Sequence, residues 1–544
     1  MAALALWYLA VASLLGVTAG APQLPHDPEA EHAPTTQPPV THIIMDAEDP
    51  SNHRNNKMDS AAFYVANDAG FEYTNPDFVD GVELLEKDMM LTPEQWQAFR
   101  ERKAIADLRA RWDEGSDGYP YVPYIFLDEG SRTMIEEAIN SWMEHTCIKF
   151  EETTNENQPH LRFINGTGCW SFIGEVWDRN GQDVSIGTGC ENVGTIIHEL
   201  GHSLGFFHEQ SRPDRDSYVT ILLDNVITGK EHNFQIRSTA LDYGVPYDHT
   251  SIMHYGSMYF TDNGDPTIVT NDPSYQGLIG QREGLSHYDK LLANRMYNCI
   301  DKWLVVCGLS SDPCQNLGYT GADCACVCPP HTDGINCESV TGSYYDEKID
   351  NCSHVITEEG NITSPNFPGY VSGLDCPYQI IAPVCHVVQI VFAQFHLYRR
   401  GNNRCYFDYL IIMTDGLSSS KAYCDQEIAV GTSFTSVGQE LNLFFQTRTN
   451  RYEGWSAEVT FIPVPGCDPS SSTTTTTTTT TSTSTPTTTP TTTAPTTTTT
   501  TTTTAPTIPS TDVTCRQGRH RKRGGLKRST KLNRNKHSLH HKTL

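Results

Sequence analysis

Three histidines and a glutamate stand at fixed spacing in the run HELGHSLGFFH, His198 to His208, of this 544-residue chain. On a helix, residues i and i+4 share one face with Cβ atoms roughly 5–6 Å apart, so His198 and His202 are spaced to hold one metal ion. Glu199 lies about 100° round the helix, where its carboxylate can reach water on the metal without filling a ligand position. Gly205 lets the chain leave the helix through positive φ without steric cost, and that turn brings His208 round as a third nitrogen. Imidazoles suit zinc, and three protein ligands leave a fourth position open, which separates a catalytic zinc site from a closed structural one. The competing reading is a buried helix with incidental histidines. His-Glu-x-x-His alone arises by chance in roughly 5% of chains of this length, whereas adding Gly205 and His208 lowers the figure to about 1 in 7,000.

Such a helix needs a framework. The apolar run Val193-Gly194-Thr195-Ile196-Ile197 leads into it. Upstream, Val122, Tyr124 and Phe126 alternate as in a strand, and Ile135, Ala138, Ile139 and Trp142 recur at helical spacing behind Ser131, a candidate N-cap. Cys147–Phe150, His160–Ile164, Trp170–Ile173 and Asp183–Ile186 read as further short strands. Strands before and around a few helices predict a mixed α/β or α+β domain ending near Cys299.

The segment HELGHSLGFFHEQSRPDRD (His198 to Asp216), followed by SIMHY (Ser251 to Tyr255), resembles the signature of the astacin family of metzincin metalloproteases. The similarity extends over Ala104 to Cys299 and implies an α+β catalytic domain at 104–300. It implies one Zn²⁺ held by His198, His202 and His208, with Glu199 as general base. Met253 would form a Met-turn beneath the metal and Tyr255 would be a displaceable further ligand. It also implies bridges Cys147 to Cys299 and Cys169 to Cys190, and an edge strand at Cys169–Gly174 that pairs with extended substrate. In LLEKDMMLT (Leu84 to Thr92), Asp88 stands where the family places a pro-segment acid on the zinc, although Leu85 and Lys87 replace the usual aromatic and glycine. Glu209 is implied to receive the α-ammonium group freed by processing, in particular that of Ala104.

The rest of the chain reads as several separate units, as its length requires. Residues 1–20 are apolar and end in small residues, as in a secretion signal, and no later run has the length to span a bilayer. Residues 21–103 read as a removable pro-segment ending at the basic Arg100-Glu101-Arg102-Lys103, or as an exposed linker helix. Seventeen cysteines suit an oxidising compartment. The six between Cys307 and Cys337 resemble an EGF-like module over 303–338, implying pairs 307 to 324, 314 to 326 and 328 to 337 (Cys314, Cys324, Cys326, Cys328); a zinc cluster is the alternative. At 352–463, many short alternating runs predict an all-β sandwich. SPNFPGY at Ser364, the pairs Cys352/Cys376 and Cys405/Cys424, and CYFDYL resemble a CUB domain. Of the acids that hold calcium in many CUB domains, Asp408 fits, while Tyr398 and Thr447-Arg448 stand where others are expected. Cys385 is assigned to Cys467, leaving Cys515 over. Residues 468–512 form a Thr-rich, mucin-like linker, expected to be disordered and O-glycosylated.

The basic tail, 513–544, has no acid after Cys515 and reads as a polyanion or sulfated-glycan binder, or as a plain solvated tail. The formal charge of −27 argues against nucleic acid as partner of the whole chain. Asn165, Asn351 and Asn361 are N-glycosylation sequons. With the EGF-like and CUB modules, the layout is similar to nematode-type astacins. The expected function is a secreted zinc metalloendopeptidase, made as a zymogen and acting on extracellular or matrix proteins. The alternative is a catalytically inert adhesion protein working through its EGF-like and CUB modules; the presence of Glu199 argues for the first.

Overall fold

The computed structural model describes residues 75–79, 81–93, 95–96, 111–176, 180–238, 240–349, 352–401 and 404–467. The signal segment, the basic cleavage stretch with Ala104, Asn351, the Thr-rich linker, Cys515 and the basic tail lie outside the described residues.

Residues 111–307 build a mixed sheet with helices against it. The strands are β1 (Met89–Met90), β2 (Tyr121–Phe126), β3 (Lys149–Glu152), β4 (His160–Ile164), β5 (Cys169–Phe172) and β6 (Gly181–Ile186), ordered β1-β5-β6-β4-β2-β3. Only β5 runs antiparallel to its neighbour β6, and β1, from the segment preceding the domain, adds in parallel to its free edge. Helix α1 (Arg132–His145) buries Ile135, Ala138, Ile139 and Trp142, the apolar positions repeating every three or four residues. Ser131 stands at its N-cap position, but its side chain makes no capping bond. Trp142 is fully buried and donates from Nε1 to the carbonyl of Ile197 (3.1 Å), joining α1 to helix α2 (Val193–Ser203).

Beyond α2 regular structure thins out. A two-stranded ladder of β7 (Val219–Ile221) and β8 (Ile268–Thr270) is followed by α3 (His287–Met296) and α4 (Cys299–Cys307). Disulfides Cys147–Cys299 and Cys169–Cys190 close the domain. The next stretch holds two short ladders and the bridges Cys307–Cys324, Cys314–Cys326 and Cys328–Cys337, so covalent links stand in for a core that so few apolar residues cannot build.

Residues 354–463 form a two-sheet sandwich from β9 (His354–Ile356), β10 (Gly360–Thr363), β11 (Leu374–Ile381), β12 (His386–His396), β13 (Tyr409–Met413), β14 (Ser420–Tyr423), β15 (Ser433–Thr435), β16 (Glu440–Thr447) and β17 (Gly454–Pro463). One sheet is ordered β9-β11-β16-β13-β14 and the other β10-β17-β12-β15. Val388, Ile390, Leu441, Leu443 and Trp455 lie between them. Bridges Cys352–Cys376, Cys385–Cys467 and Cys405–Cys424 fasten it. Asn165 and Asn361 are exposed.

Candidate metal centre

Helix α2 begins at Asn192, whose side chain accepts from the backbone N–H groups of Gly194 and Thr195, two donors a helix start leaves unsatisfied. It ends at Leu204, and Gly205 follows at φ +99°, so the turn that redirects the chain uses backbone space favourable to glycine. This brings His208 back over the helix. The Nε2 atoms of His202 and His208 lie 3.1 and 3.3 Å from that of His198. Zinc–nitrogen bonds of roughly 2.0–2.1 Å in tetrahedral geometry place ligand nitrogens about 3.3 Å apart.

The other ring nitrogens fix the tautomers. His198 Nδ1 donates to the carbonyl of Ile252 (2.8 Å) and His202 Nδ1 to that of Phe206 (2.9 Å), leaving both Nε2 lone pairs directed at the common point. His208 Nδ1 lies 2.5 Å from the carboxylate of Glu86. Asp88 faces all three rings, with carboxylate oxygens 3.5, 3.8 and 3.0 Å from the Nε2 atoms of His198, His202 and His208. Burial opposes its ionisation, but the surrounding imidazoles prevail and hold its carboxyl well below the usual range. Three convergent, fully buried nitrogens and an ionised carboxylate fit a divalent metal such as zinc. Beside them both carboxylate oxygens of Glu199 are buried with no hydrogen-bond partner, and burial followed by the charge of Asp88 pushes this carboxyl well above its ordinary value.

Sequence comparison matches residues 104–298 to "Astacin (Peptidase family M12A)" and residues 352–459 to the CUB domain. Residues 104–298 are an astacin domain. Blastula protease 10 of Paracentrotus lividus is 37% identical over 356 residues, covering 61% of this chain and 57% of that protein. Zinc metalloproteinase nas-36 of Brugia malayi is 36% identical over 291 residues, covering 51% and 47%. This chain thus spans roughly half the length of such relatives. The solved structure of high choriolytic enzyme 1, a hatching enzyme zinc-protease from Oryzias latipes, is 38% identical and covers 36% of this chain and 96% of that one, at a TM-score of 0.33. Zinc is accordingly the metal of this astacin domain.

The segment 84–91, which precedes the astacin domain, fills the space in front of the histidines. Besides meeting His208, Glu86 is gripped by the Arg237 guanidinium and by the Ser211 hydroxyl (3.2 Å). Its burial opposes ionisation, yet Arg237 and His208 keep its carboxyl below the ordinary value. The Tyr255 hydroxyl donates to the Glu86 carbonyl (2.7 Å), and Tyr255 N–H donates to the Gln210 side chain (3.0 Å).

Met253 lies against the helix where Gly201 has no side chain; a Cβ there would sit 2.7 Å from the methionine sulfur. The turn carrying it is held by Asp289 of α3, which accepts from Ser251 Oγ (2.6 Å) and Ile252 N (2.9 Å). Asp289 also forms a capping box with Ser286, a pattern visible in the sequence whose link to the metal centre is not. Glu209 is buried, accepts from Asp248 N (2.8 Å) and pairs with Arg212 (3.2 Å). In the CUB domain Asp408 receives donors from Tyr370 OH (2.7 Å), the N–H groups of Arg448 (2.6 Å) and Thr449 (2.8 Å), and the Thr449 hydroxyl. Both its oxygens are satisfied by protein, and Arg448 turns its guanidinium to Asp375 (3.0 Å); these residues do not fit a calcium ion.

Proposed function

We propose that the chain is the precursor of a secreted zinc-dependent metalloendopeptidase that cuts extracellular proteins. The observation that carries this is the convergence of three Nε2 atoms beside an unpartnered buried carboxylate, Glu199. When bound, Zn²⁺ supplies Lewis acidity that brings the pKa of a water towards 7 and polarises a carbonyl. Glu199 accepts the water's proton and delivers it to the leaving amine. Tyr255 loses its Glu86 partner when the pro-segment departs, and its hydroxyl then donates to the oxyanion that develops on the scissile carbonyl. The edge of β5, covered by β1 here, takes an extended substrate by strand addition. Eight disulfides among the described residues support an oxidising, extracellular setting, in line with the signal-like residues 1–20. Glu209 is the buried acid next to the third histidine that we assign to the new N-terminus, and Asp88 is assigned as the latch of the zymogen.

The test is casein cleavage by the processed protein with and without a zinc chelator. Cleavage that the chelator abolishes and added zinc restores is expected; absence of turnover in both samples favours the adhesion reading. A finer expectation concerns the substrate. Arg237 holds an acid of the pro-segment, so after processing we expect it to hold an acidic side chain just after the cut. Charge-assisted hydrogen bonds contribute about 1.5–3 kcal/mol, so Arg237→Ala should lower kcat/KM for an aspartyl peptide by about 10- to 100-fold. Its alanyl analogue should change little. Equal losses on the two peptides would remove Arg237 from specificity.

A further inference from the structure

The CUB domain sits against the astacin domain on the stretch that follows Tyr255. Met258 packs on an apolar cluster of the sandwich that includes Cys405, Tyr409, Ile411 and Phe444. The Thr261 carbonyl accepts from the Arg404 guanidinium, and the Asp265 carboxylate accepts from Ala422 N–H of edge strand β14 (2.9 Å). At Gly277 the two surfaces are so close that a Cβ would lie 2.5 Å from the Asp375 side chain.

Between these anchors lie the two rings on which Tyr255 rests. Tyr259 stacks on Tyr255 with centroids 4.6 Å apart and planes 21° apart, and the Phe260 ring lies 5.9 Å away. Phe260 has φ +57°, a left-handed conformation that is costly for an aromatic residue and persists only where surroundings over-determine it. Its carbonyl accepts from Ile227 N (2.9 Å) on one side, and the next carbonyl is bound by Arg404 of the sandwich on the other. A strained wall beside the Tyr255 ring is thus clamped from outside its own domain.

We propose that the CUB domain is a positioning device for Tyr255: by pinning Met258, Thr261 and Asp265 it holds Tyr259 and Phe260 as the wall that guides the tyrosine ring. This rests on the proteolytic reading above. Arg404 and Asp265 are positioning residues; neither touches substrate in this scheme. Loosening the clamp misdirects the hydroxyl during the reaction without altering peptide binding.

The experiment uses the processed full-length enzyme carrying Arg404→Met with Asp265→Ala, and a hexapeptide substrate too short to reach the sandwich. Misplacement of a group by about 1 Å from a distance costs up to 10²-fold, so a fall in kcat of about tenfold with KM unchanged is expected. The same pair placed in a Tyr255→Phe background should produce no further fall, because the group it positions is gone. Amide hydrogen exchange at 259–262 should quicken in the pair variant and be restored by Arg404→Lys with Asp265 intact. The proposal is overturned by an unchanged kcat, by an equal loss in the Tyr255→Phe background, or by unchanged exchange. If wild-type enzyme cuts no peptide, the proteolytic reading fails and with it the catalytic role, while the exchange measurement still reports separately on the clamp.

Discussion

Glu199→Gln is expected to retain one zinc per molecule and to lose at least about 99% of turnover, since general acid–base catalysis contributes typically 10²- to 10⁴-fold. The amide is nearly the size of the carboxyl, and Glu199 makes no hydrogen bond that the substitution would break, so folding and metal content should survive. What changes is chemistry. A neutral amide does not take a proton from water or return one to an amine. The zinc ligands are untouched because His198 and His202 are oriented by the carbonyls of Ile252 and Phe206, neither of which involves Glu199. Zinc by elemental analysis and kcat/KM on one peptide check both halves. Full metal with residual turnover above about 1% would assign the proton transfers to another group.

The metal centre was legible in the chain because its geometry is local. Four side chains within eleven residues are arranged by one helix and one glycine turn, and the positive φ at Gly205 is what the sequence pattern required. The helix α1 was legible for the same reason, its apolar period matching the face it buries. The strands β2 and β4 were legible as strands, but β2 is buried on both faces, so the alternation of Val122, Tyr124 and Phe126 did not mark its buried side. Glu86 and Arg237 were not, since they meet across 151 positions and nothing in either neighbourhood distinguishes a buried partner from a surface charge. Asp289 carried a capping signature, but its second contact with the Met253 turn depends on how α3 is packed, which no local pattern encodes. Docking of the CUB domain was equally hidden. Met258, Thr261 and Asp265 look like loop residues until the sandwich is placed beside them. Asp408 shows the opposite case: Tyr398 and Thr447-Arg448 already stood where further calcium-binding acids are expected, and its donors are a tyrosine, a threonine and two backbone amides.

In the zymogen proposed above, Asp88→Ala should allow the unprocessed chain to cut a short peptide. Asp88 is fully buried, with carboxylate oxygens 3.5, 3.8 and 3.0 Å from the Nε2 atoms of His198, His202 and His208, so it closes off the ligand set. Removing one partner of a buried charge pair costs about 3–5 kcal/mol, which in occupancy of the site is roughly 10²- to 10⁴-fold. Release is expected to be incomplete, because Glu86 remains clamped by Arg237 and Ser211 and β1 remains paired with the edge of β5. Glu86→Gln, which keeps the shape but weakens the charge contacts, should therefore raise precursor activity less than Asp88→Ala, and the two together should exceed either. Terminal sequencing of each precursor before and after the assay separates true relief of latency from a trace of processed enzyme. A precursor with Asp88→Ala that stays as silent as wild type, while Glu86→Gln opens it, would transfer the latch from the metal-facing acid to the arginine-bound one.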